Sequence, residues 1–212
     1  MSTIQAVAAA VEAGKSKEIA DLVQGALDAG IAPLEILNAG MIDAMSIVGE
    51  KFSKEEIFIP EMLVAARAMK RGVEVLKPLL GETGGTNLGK VIVGTVAGDL
   101  HDIGKNLVSM MIESAGFDVD DLGVDVPLET FIQAVESYES VNVVALSALL
   151  TTTMPAMRDT VAALNASSAR GRFKILVGGA PITDDFCKEI GADAFAPDAA
   201  AAAQKAKELA TS

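Results

Sequence analysis

Apolar residues in the first eighty positions recur three and four residues apart, which is the spacing of one face of an α-helix. We predict a first helix over residues 3–13 and a second that begins after Ser16, as its N-cap, and stops before Gly30. A third helix begins near Pro33 and a fourth at Pro60, because proline is favoured in the first helical turn. The pattern therefore predicts a four-helix bundle. One buried stripe of the third helix is predicted to contain Leu34, Leu37, Met41, Ala44, Val48 and Phe52.

A glycine-rich segment separates this helical half from the rest of the chain. Residues 81–90 contain four glycines and almost nothing to bury, which is the composition of a flexible linker. After this segment the periodicity changes from helical spacing to short β-prone runs. We therefore predict a helical cap domain over residues 1–80, a linker over 81–90 and a second domain over 91–212.

Short apolar runs alternate with amphipathic helical segments throughout the second domain. Five strand–helix units of this kind predict an α/β domain, a Rossmann-like (flavodoxin-like) doubly wound sheet of five parallel strands with right-handed crossovers. The predicted strands are residues 91–96, 117–122, 141–146, 173–177 and 194–195. The predicted helices are residues 104–115, 127–135, 154–165, 184–190 and 199–210.

Acidic side chains outnumber basic ones by 29 to 17, which leaves a formal net charge of −12. This charge repels phosphate backbones and anionic headgroups, so we expect no nucleic acid and no membrane surface as partners. One cysteine and one histidine cannot form an intrachain disulfide or supply the ligands of a protein zinc site. No basic residue precedes Lys15, and the longest uncharged run carries polar residues. We therefore predict no secretory signal, no membrane span and a cytoplasmic location.

Residues able to support chemistry follow three of the predicted strands, where open parallel sheets bind their ligands. These segments, 98–105, 147–153 and 178–181, are expected to face one crevice. His101 lies on the first segment, with Asp99 placed to hold its second imidazole nitrogen. A single imidazole suffices as a metal ligand only where a macrocycle brings the other ligands, which points to a haem or a corrinoid. The alternative is an ordinary surface-loop histidine.

Small side chains are concentrated after the third and fourth strands of this domain. They would leave a deep, narrow slot beside His101 that a long ligand can enter. For the glycine pair taken alone, an ordinary turn at the end of a strand is the alternative interpretation. The small residues are Ser147, Ala148, Gly178, Gly179 and Ala180.

The order of these residues resembles the cobalamin-binding motif of B12-dependent methyltransferases and mutases. The matching residues are Asp99-x-His101-x-x-Gly104, Ser147-x-Leu149 and Gly178-Gly179. The helical domain resembles the cap of cobalamin-dependent methionine synthase at residues 48–52 and 58–60. In size and layout, nearly the whole chain resembles the stand-alone corrinoid proteins of methanogen and acetogen methyltransferase systems.

The resemblance implies that the cofactor is cobalamin or a related corrinoid, bound in the base-off/His-on form. His101 would then bind cobalt as the lower axial ligand, and Asp99 would hold the other imidazole nitrogen. The Thr153 hydroxyl would end this hydrogen-bonded relay, at a position where the family carries serine. These three residues are the expected catalytic set.

The resemblance also implies which residues contact the cofactor. Phe52 and Ile59 match the apolar residues that the cap places over the upper face of the corrin. Asn38 departs from methionine synthase, which has a glutamate at that contact. The implied lower-face and slot contacts are Gly98, Asp99, Leu100, His101, Asp102, Ile103, Gly104, Ser147, Leu149, Thr151, Gly178, Gly179 and Ala199.

A corrinoid protein of this kind is a methyl carrier. Its cobalt(I) accepts a methyl group through a substrate-specific methyltransferase and passes it, as methyl-cobalt(III), to a second methyltransferase with a tetrahydrofolate or thiol acceptor. Methylamines, methanol, betaines and methoxylated aromatics stay open as donors, and a reductive activator is a further implied partner. The alternatives are a B12-dependent sensor module, the small subunit of an adenosylcobalamin mutase, and a metal-free flavodoxin-like receiver.

Overall fold

The computed structural model describes residues 2–80 and 88–211. These residues form two compact units. The first takes in the described residues up to 80 together with Ser114–Gly116, and the second takes in Leu88–Glu113 and the residues from Phe117 onward. Most of the predicted linker lies outside the described residues, and its last residue, Lys90, already belongs to the first strand. The domain boundaries stay a prediction.

The first unit is helical and contains four continuous helical runs, as predicted. Its segments are α1 (Thr3–Glu12), α2 (Ile19–Asp28), α3 (Pro33–Glu35), a π-helical segment (Ile36–Ile42), α4 (Asp43–Ser53) and α5 (Ile59–Leu80). A capping box closes the start of α1, where the side chains of Ser2 and Gln5 accept from each other's backbone N–H. The predicted N-cap at Ser16 is wrong, because residues 16–18 form a turn and α2 begins only at Ile19.

The third helical run departs from the prediction, since its middle is π-helical rather than α-helical. There the backbone N–H of Asp43 donates to the carbonyl of Asn38, five residues back. The two ends of the predicted stripe are not buried, since Leu34 is 51% exposed and Phe52 is only half-buried. The other members of the stripe are buried as predicted: Leu37, Met41, Ala44 and Val48.

The second unit is a five-stranded parallel sheet with the strand order β2-β1-β3-β4-β5. The strands are β1 (Lys90–Thr95), β2 (Asp118–Asp121), β3 (Val143–Ser147), β4 (Lys174–Gly178) and β5 (Ala194–Ala196). The helices are α6 (Ile103–Ser114), α7 (Leu128–Ser137), α8 (Met154–Ala166), α9 (Asp184–Ile190) and α10 (Ala199–Ala210). This strand order is the flavodoxin-like arrangement, and the predicted fold class is confirmed. Within the described ranges, no helix is long and apolar enough to cross a membrane.

The register of the sheet aligns the carboxyl ends of four strands. Thr95 of β1 is paired with Ser147 of β3. Ser147 is paired in turn with Gly178 of β4, and Gly178 with Ala196 of β5. The loops that leave these strands therefore start side by side, along the edge where ligands bind in sheets of this class.

The packing of α7 on the sheet explains one glycine inside a strand. Phe131 of α7 is fully buried. A Cβ at Gly94 of β1 would lie 2.6 Å from Cζ of the Phe131 ring, so glycine makes room for the ring at this position. The surrounding buried cluster includes Ile92, Val144, Leu146, Met157 and Val161.

We expect Gly94→Ala to lower the free energy of unfolding of the second unit by about 1–3 kcal/mol, because the added methyl group overpacks against the Phe131 ring. Gly171→Ala is the matched control, since a Cβ at Gly171 would meet nothing within 4 Å. Urea unfolding of the two variants measures the difference. Equal stability of the two variants would contradict this account of the packing.

Candidate functional site

Direct contacts join the three loops that the sequence analysis selected. The loop after β1 carries Asp99 and His101, and the loop after β3 carries Ala148 and Leu149. The backbone N–H of Leu149 donates to the Asp99 carboxylate at 2.7 Å. The third loop, after β4, packs against Ala148, whose N–H donates to the carbonyl of Gly178 at 3.2 Å. The three segments therefore meet at one edge of the sheet.

Asp99 is the centre of this site, with no exposed surface. Its Oδ1 accepts from the backbone N–H of His101 at 3.1 Å and lies 2.7 Å from Nδ1 of the same residue. Its Oδ2 accepts from the Leu149 N–H at 2.7 Å and from the Thr153 hydroxyl at 2.8 Å. A longer bond of 3.4 Å comes from the N–H of Leu150. These donors compensate the buried charge on both oxygens.

The hydrogen bonds keep Asp99 ionised although it is buried. Burial by itself raises the pKa of a carboxyl group, because it disfavours the charged form. At Asp99 the donors, led by the Leu149 N–H and the His101 imidazole, outweigh burial and hold the pKa of the carboxyl well below its usual range. The carboxylate is therefore an acceptor at neutral pH, and Nδ1 of His101 carries the proton that lies between them.

In its neutral form the His101 imidazole therefore carries its proton on Nδ1 and its lone pair on Nε2. Its side chain is 49% exposed, in contrast to the buried carboxylate that holds it. In the described part of the chain, no three His, Cys, Asp or Glu side chains come together in a group that could hold a metal ion. His101 could thus serve as a single protein ligand to a metal whose other ligands belong to a macrocycle.

Thr153 extends the hydrogen-bonded chain on the other side of Asp99. It is buried, and it ends the 3-10 turn Thr151–Thr153 that precedes α8. Its hydroxyl lies 2.8 Å from Asp99 Oδ2 and 2.9 Å from the carbonyl of Leu150, and the charged oxygen is the stronger acceptor. The structure thus brings the three residues of the expected catalytic set into one chain, from Thr153 through Asp99 to His101.

Aliphatic side chains lie exposed beside the histidine. Leu100 and Ile103 are 72% and 83% exposed, and Leu149 and Leu150 are exposed as well. The first two flank His101 in sequence, and the second two donate backbone hydrogen bonds to Asp99. A group of large exposed apolar residues marks a binding surface. We refer to Leu100, Ile103, Leu149 and Leu150 as the apolar shelf.

The backbone favours glycine at the last position of β4 and requires it at the next residue. Gly179 has a φ of +128°, and a Cβ there would lie 1.8 Å from the carbonyl oxygen of Ala148. A Cβ at Gly178 would lie 3.0 Å from the carbonyl oxygen of Ala196. Close approach of the loop after β3 thus explains Gly179, and close approach of β5 favours Gly178. The contacts that the sequence analysis predicts for both glycines with a cofactor stay predictions.

Gly104 differs from these two glycines. It is the second residue of α6, and a Cβ there would meet nothing within 4 Å. Alanine is the better helix former, so the fold gives no reason for glycine at this position. Gly104 follows His101 by three residues in the sequence, and the space around its Cβ position is open.

The remaining contacts implied within the second unit have the following positions. Gly98 and Asp102 are exposed in the loop after β1, and Thr151 is exposed at the start of its 3-10 turn. Ser147 is half-buried at the end of β3, and Ala199 is buried as the first residue of α10. Their contacts with a cofactor stay predictions.

Three residues of the helical unit were also related to the cofactor. Phe52 is half-buried in α4, and Ile59 is exposed at the first position of α5. Asn38 is exposed on the π-helical segment. The predicted role of this unit over the upper face of a cofactor stays a prediction.

Two residues of the site were not singled out from the sequence. Leu150 completes the apolar shelf. Asp125, in the loop after β2, accepts at Oδ1 from the N–H of Gly98 at 2.7 Å and donates its own N–H to the carbonyl of Asp99 at 2.9 Å. The strand order could have indicated Asp125, because a flavodoxin-like order places β2 beside β1 and brings the loops after these two strands together.

We expect Thr153→Val to lower the free energy of unfolding of the second unit by about 1–3 kcal/mol, because valine deprives the buried Asp99 carboxylate of a donor. Thr153→Ser is the matched variant, since it keeps the hydroxyl and loses only a methyl group. Urea unfolding in the absence of any ligand compares the two. A valine variant at least as stable as the serine variant would contradict the assigned hydrogen bond.

The sequence of the chain matches two family models, each described as a B12 binding domain. The first matches residues 89–206 and the second matches residues 3–77. The chain is also 42% identical to dimethylamine corrinoid protein 1 of Methanosarcina acetivorans, over 96% of this chain and 90% of that protein.

Two solved structures share the fold over nearly the whole chain. A cobalamin-binding protein from Desulfitobacterium hafniense DCB-2 matches with a TM-score of 0.82 and 33% identity, covering 97% of this chain and 98% of that one. A chain of the methanol:cobalamin methyltransferase complex MtaBC from Methanosarcina barkeri matches with a TM-score of 0.84 and 29% identity, covering 99% of this chain and 80% of that one. The residues around Asp99 and His101 lie within the range matched by the first model, and the chain belongs to the B12-binding domain family.

Proposed function

We propose that this chain is a corrinoid methyl carrier, which receives a methyl group through one methyltransferase and delivers it to a second. The observation that carries the proposal is the 2.7 Å contact between Nδ1 of His101 and the buried Asp99 carboxylate, which leaves Nε2 as the ring nitrogen able to bind a metal. The names of the relatives support it, since one is a dimethylamine corrinoid protein and another belongs to a methanol:cobalamin methyltransferase complex.

The residues of the second unit fit a corrinoid. A corrin ring brings its own equatorial ligands to cobalt, so the protein needs to supply one axial donor, and Nε2 of His101 is suited to that role. The exposed apolar shelf offers a surface for a flat macrocycle. Gly104 leaves the start of α6 open, where a side chain would stand in the way of a ligand close to the backbone.

When bound, the corrinoid supplies the cobalt at which a methyl group is taken up and released. The chain's own residues would hold the imidazole nitrogen that binds the metal. Asp99 keeps the proton of His101 on Nδ1 and makes Nε2 a better donor, because the carboxylate stabilises positive charge on the ring. Thr153 and the Leu149 N–H keep that carboxylate ionised and in place.

The same residues can stabilise His101 when it is not a ligand. An imidazole that leaves a metal can take up a proton at Nε2, which makes the ring positively charged. Asp99, whose pKa is held well below its usual range, remains a carboxylate beside that charge. Both the ligating and the protonated imidazole therefore keep the same Nδ1 hydrogen bond.

We propose a methylamine as the first candidate donor, since the relative with 42% identity is named for dimethylamine. Methanol is the alternative, after the MtaBC complex. The donor would be handled by a substrate-specific methyltransferase, and the acceptor, tetrahydrofolate or a thiol, by a second methyltransferase. We further propose that the corrinoid binds in the base-off/His-on form, that a reductive activator is another partner, and that the protein is cytoplasmic.

Reconstitution with hydroxocobalamin tests the proposal. We expect uptake of one corrinoid per chain, measured from the visible spectrum after removal of the unbound cofactor. After reduction, the spectrum of the bound corrinoid should change on addition of dimethylamine with a dimethylamine methyltransferase, and it should change back on addition of an accepting methyltransferase. His101→Ala should alter the spectrum of the bound corrinoid, because a different axial donor or none replaces the imidazole.

Other outcomes would contradict the methyl carrier. Absence of corrinoid uptake would favour a metal-free flavodoxin-like domain. Uptake restricted to adenosylcobalamin, with a response to light or with radical chemistry, would favour a sensor or the small subunit of a mutase.

We expect Gly104→Ala to weaken corrinoid binding about tenfold, since the methyl group enters open space that the ligand uses. The protein without ligand should be as stable as the parent or slightly more stable, because alanine favours the helix. Visible titration with hydroxocobalamin gives the Kd, and urea unfolding gives the stability. Gly171→Ala, in the turn before β4, is the control and should leave the Kd unchanged, so equal Kd values for the two variants would contradict the assignment.

A further inference from the structure

Asp125 makes a reciprocal pair of hydrogen bonds with the loop that carries His101. Its Oδ1 accepts from the backbone N–H of Gly98 at 2.7 Å. Its own backbone N–H donates to the carbonyl of Asp99 at 2.9 Å. Asp125 thus holds the N–H of Gly98 and the carbonyl of Asp99, which are the two ends of the segment before Leu100 and His101. We call this pair of bonds the Asp125 clamp.

The backbone at the clamp has an unusual conformation. Asp125 has a φ of +52°, in the left-handed region that residues with a side chain rarely adopt. Within the described ranges, only Glu55 shares this property among residues other than glycine. Gly98, on the other side of the contact, has a φ of +81°. Strain of this kind persists where the surrounding structure specifies it, and aspartate tolerates it better than most residues.

The clamp adds a restraint from the loop after β2 to the other contacts of the His101 loop. The Asp99 side chain is fixed from the loop after β3, by the Thr153 hydroxyl among other donors. The carbonyl of His101 accepts from the Thr95 hydroxyl of β1 at 3.0 Å. Asp125 adds the restraint on the main chain from the loop after β2. The neighbouring strands β2, β1 and β3 therefore each contribute to the position of His101.

We propose that Asp125 is a positioning residue for His101 as a cobalt ligand, an inference that rests on the proposed function. Asp125 would act through the main chain of Gly98 and Asp99. Without the clamp the loop would have more conformations in the protein without cofactor. Binding of His101 to cobalt would then cost more conformational entropy and become less favourable. Contacts of the corrinoid that do not involve His101 should be unaffected.

Two variants test the side-chain hydrogen bond with replacements that both tolerate the left-handed φ of Asp125. Asp125→Gly relieves the left-handed φ and removes the side-chain acceptor. Asp125→Asn keeps an oxygen acceptor for the Gly98 N–H, tolerates the same φ and removes the charge. Urea unfolding shows that each variant is folded before its affinity is measured.

The Kd for hydroxocobalamin is measured by visible titration for each variant, with histidine and with alanine at position 101. With histidine, we expect Asp125→Gly to raise the Kd about tenfold, because the loop loses its side-chain hydrogen bond. Asp125→Asn should have a smaller effect, because it keeps an oxygen acceptor for the Gly98 N–H. In the His101→Ala background, Asp125→Gly should cause no further loss. Hydrogen exchange of the Gly98 amide, in the protein without cofactor, should be faster in Asp125→Gly than in Asp125→Asn.

The outcomes distinguish this inference from the function on which it rests. An equal loss of affinity in both backgrounds, or an unchanged Kd for Asp125→Gly with histidine present, would overturn the positioning role. Equal exchange rates of the Gly98 amide in the two variants would overturn the clamp itself. If His101→Ala alone leaves the spectrum and the Kd of the corrinoid unchanged, the proposed function fails first, and the positioning role fails with it.

Discussion

The structure of the site depends on a buried carboxylate. Asp99 has no exposed surface and yet stays ionised, because donors from the loops after β1 and β3 satisfy both of its oxygens. A buried charge is tolerated only with such compensation, so the two loops must keep their mutual position. The same hydrogen bonds decide which nitrogen of His101 carries a proton. What stabilises the fold at this point also prepares the imidazole as a ligand.

Close approach of loops is the second feature of this edge of the sheet. Gly179 is needed where its backbone packs on the carbonyl of Ala148, and Gly98, beside Asp125, has a φ of +81° that favours glycine. These glycines serve the assembly of the loops. Gly104 has no such role, since a Cβ there would meet nothing within 4 Å. Gly98 and Gly179 therefore help to build the site, whereas Gly104 leaves open space that a ligand can use.

Much of the fold and the centre of the site could be predicted from the sequence. Apolar runs and helical spacing located the elements of the sheet domain closely. The segment after the first strand singled out Asp99 and His101, and the resemblance to B12-dependent proteins added Thr153. The structure joins these three residues by hydrogen bonds. The π-helical segment could not be predicted, because a stripe with helical spacing assumes an α-helix throughout. Asp125 was missed because its role depends on which loops become neighbours in the folded sheet.

The most direct test of the account uses the fact that His101 is the only histidine of the chain. The protein is produced with nitrogen-15 histidine and without a histidine tag, loaded with unlabelled cobalamin and reduced to cobalt(II). Electron paramagnetic resonance then reports the nitrogen bound at the axial position. If His101 is the lower ligand, each cobalt line is split into a doublet in the labelled protein and into a triplet in the unlabelled protein. A triplet that persists after labelling would show that the base of the cofactor remains bound, and it would contradict the central role of the Asp99–His101 pair.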